Sequence, residues 1–204
     1  SPKFLLDEKK VLEVGPGFEP HIKYKKLNFE EYHCVELSKS DELKEYFKNE
    51  FPKIIFNNYD GEKINHPDNT FNRIIISHTL EHIHNPEGFI NEMLRVLKKD
   101  GLILISEINA SFLMRGLLRV LHHEGYSYDV DLFNTESVVN DPSDLWSANC
   151  AVPEMLFSQP KVFSNYFKHL KIDRNELCEC SIFPLSGGVI SKTKVPRLPI
   201  ALLR

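Results

Sequence analysis

The stretch Lys10 to Gly17, Lys-Val-Leu-Glu-Val-Gly-Pro-Gly, constrains this chain more than any other. Val11, Leu12 and Val14 make a short apolar run of the kind that forms a parallel strand buried on both faces, and the run breaks at Gly15 and Gly17. Such a strand predicts a tight turn into a helix. Glycine has no Cβ, so the backbone can take left-handed angles there and let a nucleoside-sized ligand rest on the main chain. Taken alone, the pattern fits any sharp strand-to-helix connection.

A second residue narrows the reading. About 20 residues on, Glu36 ends the apolar stretch Tyr32-His33-Cys34-Val35-Glu36-Leu37. A carboxylate at the tip of the neighbouring strand can accept both ribose hydroxyls of a nucleoside. Pro20 stands at the third glycine position of the dinucleotide fingerprint, and no lysine nearby is placed to grip a phosphate. The turn therefore suits a nucleoside without a pyrophosphate, which disfavours an oxidoreductase using a nicotinamide dinucleotide.

With 204 residues and 42% apolar content, residues 1–204 are expected to form one α/β domain with a substantial core. The net charge of −4 and the interspersed signs give no electrostatic footprint for nucleic acid or an anionic membrane, so no nucleic-acid partner is expected. No apolar run reaches the roughly 18 residues of a membrane-crossing helix, and no signal-peptide pattern opens the chain, which predicts a cytoplasmic protein. Cys34, Cys150, Cys178 and Cys180 lack the spacing of a zinc ribbon or a disulfide framework, and Cys178 and Cys180 fall on one face of an expected strand as reduced core thiols. Ser1 in place of Met is consistent with a trimmed or partial polypeptide. Nothing in the sequence speaks to oligomeric state.

The rest of the chain alternates strands and helices. Pro20 to Leu27 predicts a short helix with Pro20 in its first turn; residues 32–37 a second strand; Ser40 a cap for a helix to Glu50; Lys53 to Phe56 a third strand. Asn72 to Ser77 is a buried fourth strand whose end, Ser77-His78, should face the same crevice as Gly15. Asn85-Pro86-Glu87 opens a helix that Lys98, Lys99 and Gly101 should close, and Leu102 to Ser106 is the fifth strand. Phe112 to Leu121 predicts a helix, and Pro153 to Leu170 one or two helices broken at Pro160. Lys171 to Phe183 and Val189 to Val195, joined by Gly187-Gly188, predict an antiparallel hairpin.

Together Glu13-x-Gly15-x-Gly17, Glu36, Asp60-Gly61, and Leu80-Glu81-His82 followed by Arg95-Val96-Leu97-Lys98-Lys99-Asp100-Gly101 resemble the successive motifs of the class I S-adenosylmethionine-dependent methyltransferases. The small-molecule branch that includes the ubiquinone and menaquinone methyltransferases is the most similar, over roughly residues 9 to 108. The resemblance implies a doubly wound Rossmann-like sheet of seven strands, mostly parallel with one antiparallel, and S-adenosylmethionine as cofactor. It implies that Glu13, Gly15, Gly17, Glu36, Leu37, Asp60, Gly61, Ser77 and His78 line the cofactor site, with Asp60 receiving the adenine amino group. Residues 1–108 would then be the cofactor-binding half, residues 109–160 a substrate lid and residues 161–204 the closing strands.

Methyl transfer asks a protein mainly to hold donor and nucleophile in line and exclude water, effects that can lower a barrier by about 7–11 kcal/mol. A hydroxyl acceptor on a small molecule also needs a base. His78 and His82 are the candidate bases nearest the donor, with His122 and His123 in the lid; His78 also reads as a wall of the cofactor pocket, and His82 as a structural residue bonded to backbone. Two rivals stand beside this reading. His78-x-x-Glu81-His82 matches the inverted zinc-peptidase pattern, but it precedes Pro86 too closely for a helix and shows no third ligand, so no metal site is expected. A regulatory or scaffold protein that binds S-adenosylmethionine without turning it over is the other.

Overall fold

The structure is a computed structural model that describes residues 8–23, 28–36, 40–58, 63–109, 115–116, 125–134, 139–141, 143–144 and 147–176. The chain divides into two compact units, one of residues 1–108 and 129–148, the other of residues 109–128 and 149–204.

The first unit is built on a five-stranded sheet. Its strands are β1 (Glu8–Val14), β2 (Phe29–Glu36), β3 (Ile54–Asn58), β4 (Phe71–Ser77) and β5 (Leu97–Ser106), with helices α1 (Asp41–Glu50) and α2 (Pro86–Val96) between them. The spatial order is β3-β2-β1-β4-β5, and every pairing is parallel. Val11, Leu12, Ile74, Ile75 and Ile76 are all at most 5% exposed, which is why these strands read as continuous apolar runs: both faces are covered. On one face Val11, Tyr32, Cys34 and Ile75 pack with Leu43 and Phe47 of α1, where the Phe47 ring stacks on Phe56 at 4.6 Å. α2 buries Phe89, Ile90, Met93 and Val96.

Local chemistry sets the helix starts. Ser40 Oγ accepts the Leu43 amide at 3.3 Å, and Asn85 Oδ1 accepts the Gly88 amide at 2.9 Å, with Pro86 in the first turn of α2. Pro20 to Leu27, expected as a short helix, holds the 3-10 helix His21–Lys23 within its described part. Two expectations need correction. Lys98, Lys99 and Gly101 do not close α2, which stops at Val96; they lie inside β5, because Phe71 already pairs with Leu97 and the register shifts before Arg73 meets Leu102. Lys171 to Glu176 is not strand: its side chains are mostly charged and exposed, and Lys171–Asp173 and Arg174–Glu176 pair along the chain at 2.9 and 2.6 Å. The expected strands over 177–183 and 189–195, and most of the helix over 112–121, lie outside the described residues.

The second unit contains α3 (Val152–Phe157) and α4 (Pro160–Tyr166); of the one or two helices expected over this stretch there are two, the second beginning at Pro160. Phe163 stands 5.4 Å from the ring of Phe157 and 4.9 Å from that of Phe167. Buried Asn149 ties the unit together by accepting the Ser127 amide at 2.9 Å and donating to the Ser127 carbonyl at 3.0 Å. No helix among the described residues is long and apolar enough to cross a membrane.

Candidate functional site

The order β3-β2-β1-β4-β5 reverses direction between β1 and β4, so the crevice beyond their carboxyl ends is the topological switch point, where open α/β sheets bind ligands. Gly15 and Gly17 leave β1 at that point with φ +67° and +52°, in the left-handed region that side chains resist. The two glycines answer different demands. A Cβ on Gly15 would strike the Thr79 hydroxyl, whereas one on Gly17 would meet nothing within 4 Å. Open space therefore lies over Gly17. The Gly17 amide donates to Glu36 Oε2 at 3.1 Å, which brings the tip of β2 to the rim of the turn.

Glu13 is 1% exposed and turned into the protein. It accepts the His21 amide at 3.0 and 3.2 Å, His21 Nδ1 at 2.7 Å and the Tyr32 hydroxyl at 2.6 Å, and so ties the two ends of the glycine turn to β2. The bond to Glu13 holds the His21 imidazolium up against the cost of burial. Tyr32 is kept protonated first by burial and then by the charge of Glu13. Burial, with Glu13 and Glu36 nearby, likewise keeps the Cys34 thiol protonated.

Across the crevice β4 ends at Ser77, and His78 follows in a left-handed conformation, φ 49°. The His78 side chain is 51% exposed, and its Nδ1 stands 3.9 Å from Glu81 Oε1. Thr79 Oγ1 lies 3.2 Å from the Val14 carbonyl and 3.0 Å from that of Ser77, close enough to donate to either. A 3-10 turn, Leu80–His82, comes next. His82 Nδ1 donates to the Ser147 carbonyl at 3.1 Å, which leaves Nε2 as the unprotonated nitrogen of the neutral ring. Buried Asn140 donates to the carbonyls of Glu81 and Ile83 at 2.8 and 3.0 Å, fixing that turn from the other side.

The structure thus brings Gly15, Gly17, Glu36, Ser77, His78 and His82 to the carboxyl ends of neighbouring strands, and Glu13 beneath the turn. Leu37, Asp60, Gly61, His122 and His123 lie outside the described residues. His78 and His82 share no helix, which the inverted zinc-peptidase pattern requires, and the described residues hold no group of three metal-ligating side chains. The sequence alone did not single out Thr79, Glu107 or Asn140, each of which has a partner 27 to 65 positions away. Only the position of Glu107, directly after a strand that ends at the crevice, could have marked it.

A family model described as "Methyltransferase domain" matches residues 1–138. No curated protein matches the chain. The YcgJ protein of Bacillus subtilis superposes with a TM-score of 0.50 at 20% identity, over 74% of this chain and 60% of that one, a likeness of fold. A Pyrococcus horikoshii protein gives 0.48 at 24% identity, over 60% and 58%, and an S-adenosylmethionine-dependent methyltransferase of Aquifex aeolicus 0.41 at 23%, over 49% and 57%. The chain spans less than two thirds of the length of each of these structures.

Proposed function

We propose, from the premise that this chain belongs to the methyltransferase-domain family, that it transfers a methyl group from S-adenosylmethionine to oxygen on a small-molecule acceptor. The observation that carries the reading is the open space over left-handed Gly17 at the switch point, with Glu36 fixed at its rim. A nucleoside lying on that turn would bring its ribose to Glu36 and turn its adenine toward the end of β3, two residues beyond which Asp60 follows in the sequence. Leu37 and Gly61 would flank these contacts, while Glu13 holds the turn from below and Ser77 and His78 form the opposite wall.

S-adenosylmethionine, when bound, supplies an electrophilic methyl on a sulfonium with a good leaving group. The protein's part is to orient the donor, exclude water and accept a proton from the acceptor. The choice of oxygen rests on the two imidazoles at the end of β4. A hydroxyl must lose its proton as it attacks, and His78, or His82 through Nε2, can take it. Residues 109–160 would cover the acceptor, and the segment from 177 onward would supply the strands, one of them antiparallel, that extend the sheet to seven.

The test is calorimetry with S-adenosylhomocysteine on wild type and Gly17→Val, followed by turnover against hydroxyl, quinone, sugar, lipid and amine acceptors. Binding that Gly17→Val abolishes, with turnover on a hydroxyl, is the expected result. Binding without turnover on any acceptor would favour the scaffold, and preference for a nicotinamide dinucleotide would overturn the donor assignment.

A further inference from the structure

Glu107 stands directly past the last residue of β5, and its carboxyl closes onto the end of β4: it accepts the Thr79 amide at 3.1 and 3.2 Å and the Leu80 amide at 3.3 Å. Thr79 in turn reaches the Val14 carbonyl, and its hydroxyl fills the place a Cβ would take on Gly15. A continuous run of contacts therefore links Glu107 to the glycine turn. Behind it lies Glu81, 3% exposed, whose Oε2 is buried with no hydrogen-bond partner among the described residues. Glu107 thus caps the turn that carries Glu81, the residue directly after the Leu80 whose amide it accepts.

Two carboxyls gathered on one turn and largely shielded from water resist both being charged, and a proton held by Glu107 would offer Glu81 Oε2 the donor it lacks. Burial, then Glu81, pushes the Glu107 carboxyl well above the usual carboxylate range, against the two backbone amides that favour its charged form. Three described residues bear on the pair. His78 approaches Glu81 from the β4 turn, Asn140 meets the backbone of Glu81 with an uncharged amide, and His82 directs its Nδ1 to Ser147.

We propose that Glu107 is a positioning residue for the donor site: sharing a proton with Glu81, it holds the turn from Ser77 to Leu80 against Gly15, and loss of that proton loosens the turn. This rests on the reading that the Gly15–Gly17 turn holds the methyl donor. Glu107→Gln copies the protonated acid, since its carbonyl can accept the Thr79 and Leu80 amides while its NH2 is free to donate toward the Glu81 carboxylate.

The experiment measures S-adenosylhomocysteine affinity by calorimetry, and Tm, from about pH 5.5 to about pH 9 (a range bracketing a raised carboxyl) for the full-length wild type, Glu107→Gln and Glu107→Ala. Wild-type affinity should fall about tenfold, the equivalent of one pKa unit, as the shared proton leaves. Glu107→Gln should match wild type at the acid end and stay flat, and Glu107→Ala should bind weakly throughout. For an acid raised in the folded state, stability is fully present below its unfolded pKa and is lost as pH rises to the folded value. The Tm of Glu107→Gln relative to wild type should accordingly climb with pH, which holds the test open if Glu107→Ala does not fold. Parallel affinity and Tm profiles for wild type and Glu107→Gln, with the wild type binding, overturn this proposal alone. Failure of the wild type to bind at any pH overturns the donor reading and this proposal with it.

Discussion

The Tyr32 hydroxyl donates to Glu13 Oε2 at 2.6 Å, joining the middle of β2 to the penultimate residue of β1, two positions before Gly15. Both side chains are at most 1% exposed, so the phenol is one of few donors that keep the Glu13 charge tolerable away from water. Tyr32→Phe preserves the packing against Phe29 and removes only that donor. It should cost about 1–3 kcal/mol of unfolding free energy in urea titration. A loss under about 0.5 kcal/mol, the level of an ordinary surface substitution, would mean that the His21 donors suffice alone.

His21 should give stability a pH dependence of known sign. Its folded pKa is raised, chiefly by the bond to Glu13, so its contribution is complete below the unfolded value of about 6.5 and is lost as pH rises through the folded one. His21→Ala should therefore melt furthest below wild type near pH 6, with the gap narrowing above neutrality. A Tm difference that stays constant from acid to alkaline buffer would show that the imidazole is neutral throughout and bonds to Glu13 only as a neutral donor.

Asn140 tests what fixes the Leu80–His82 turn. Its amide, 5% exposed, donates to both Glu81 and Ile83 carbonyls, and Asn140→Ala leaves two buried acceptors unmatched. Destabilisation of about 1–3 kcal/mol is expected. If the turn also aims His82, turnover should fall further than the unfolded fraction accounts for, and activity scaled to folded protein is the measurement that separates the two.

Much of the sheet was legible because its signals are local. The runs Val11 to Val14 and Ile74 to Ile76 could only be strands covered on both faces, and Ser40 and Asn85 mark their helices by bonds that span three residues. The start of β5 was not legible, because Lys98 to Gly101 has the composition of a helix end, and only pairing with Phe71 makes it strand. At the site, Gly15, Gly17 and Glu36 could be read from spacing. Glu107, Asn140 and the Tyr32 bond to Glu13 could not, since each depends on contacts between segments that only the sheet order brings together.

The two glycines should separate under the same substitution. Gly15→Ala places a methyl on the Thr79 hydroxyl in a left-handed backbone, so it should destabilise the fold by more than the about 1–2 kcal/mol of left-handed strain and lower expression or Tm sharply. Gly17→Ala carries the strain alone, and its methyl points into open space. It should lose only the few degrees of Tm that such strain costs while weakening S-adenosylhomocysteine. Equal loss of Tm in both variants would remove the distinction.

Glu36 is the remaining test of the donor placement, and its double duty sets the design. Its Oε2 accepts the Gly17 amide, so removal of the side chain disturbs the turn as well as any ribose contact. Glu36→Gln retains an oxygen for Gly17 but surrenders the charge, whereas Glu36→Ala surrenders both. If the carboxylate receives the ribose hydroxyls, Glu36→Ala should weaken S-adenosylhomocysteine by about 1–3 kcal/mol, with Glu36→Gln between it and wild type. 2′-Deoxy-S-adenosylhomocysteine completes the cycle: the wild type should discriminate against it, and Glu36→Ala should not. Equal discrimination by both proteins would assign Glu36 to the turn alone.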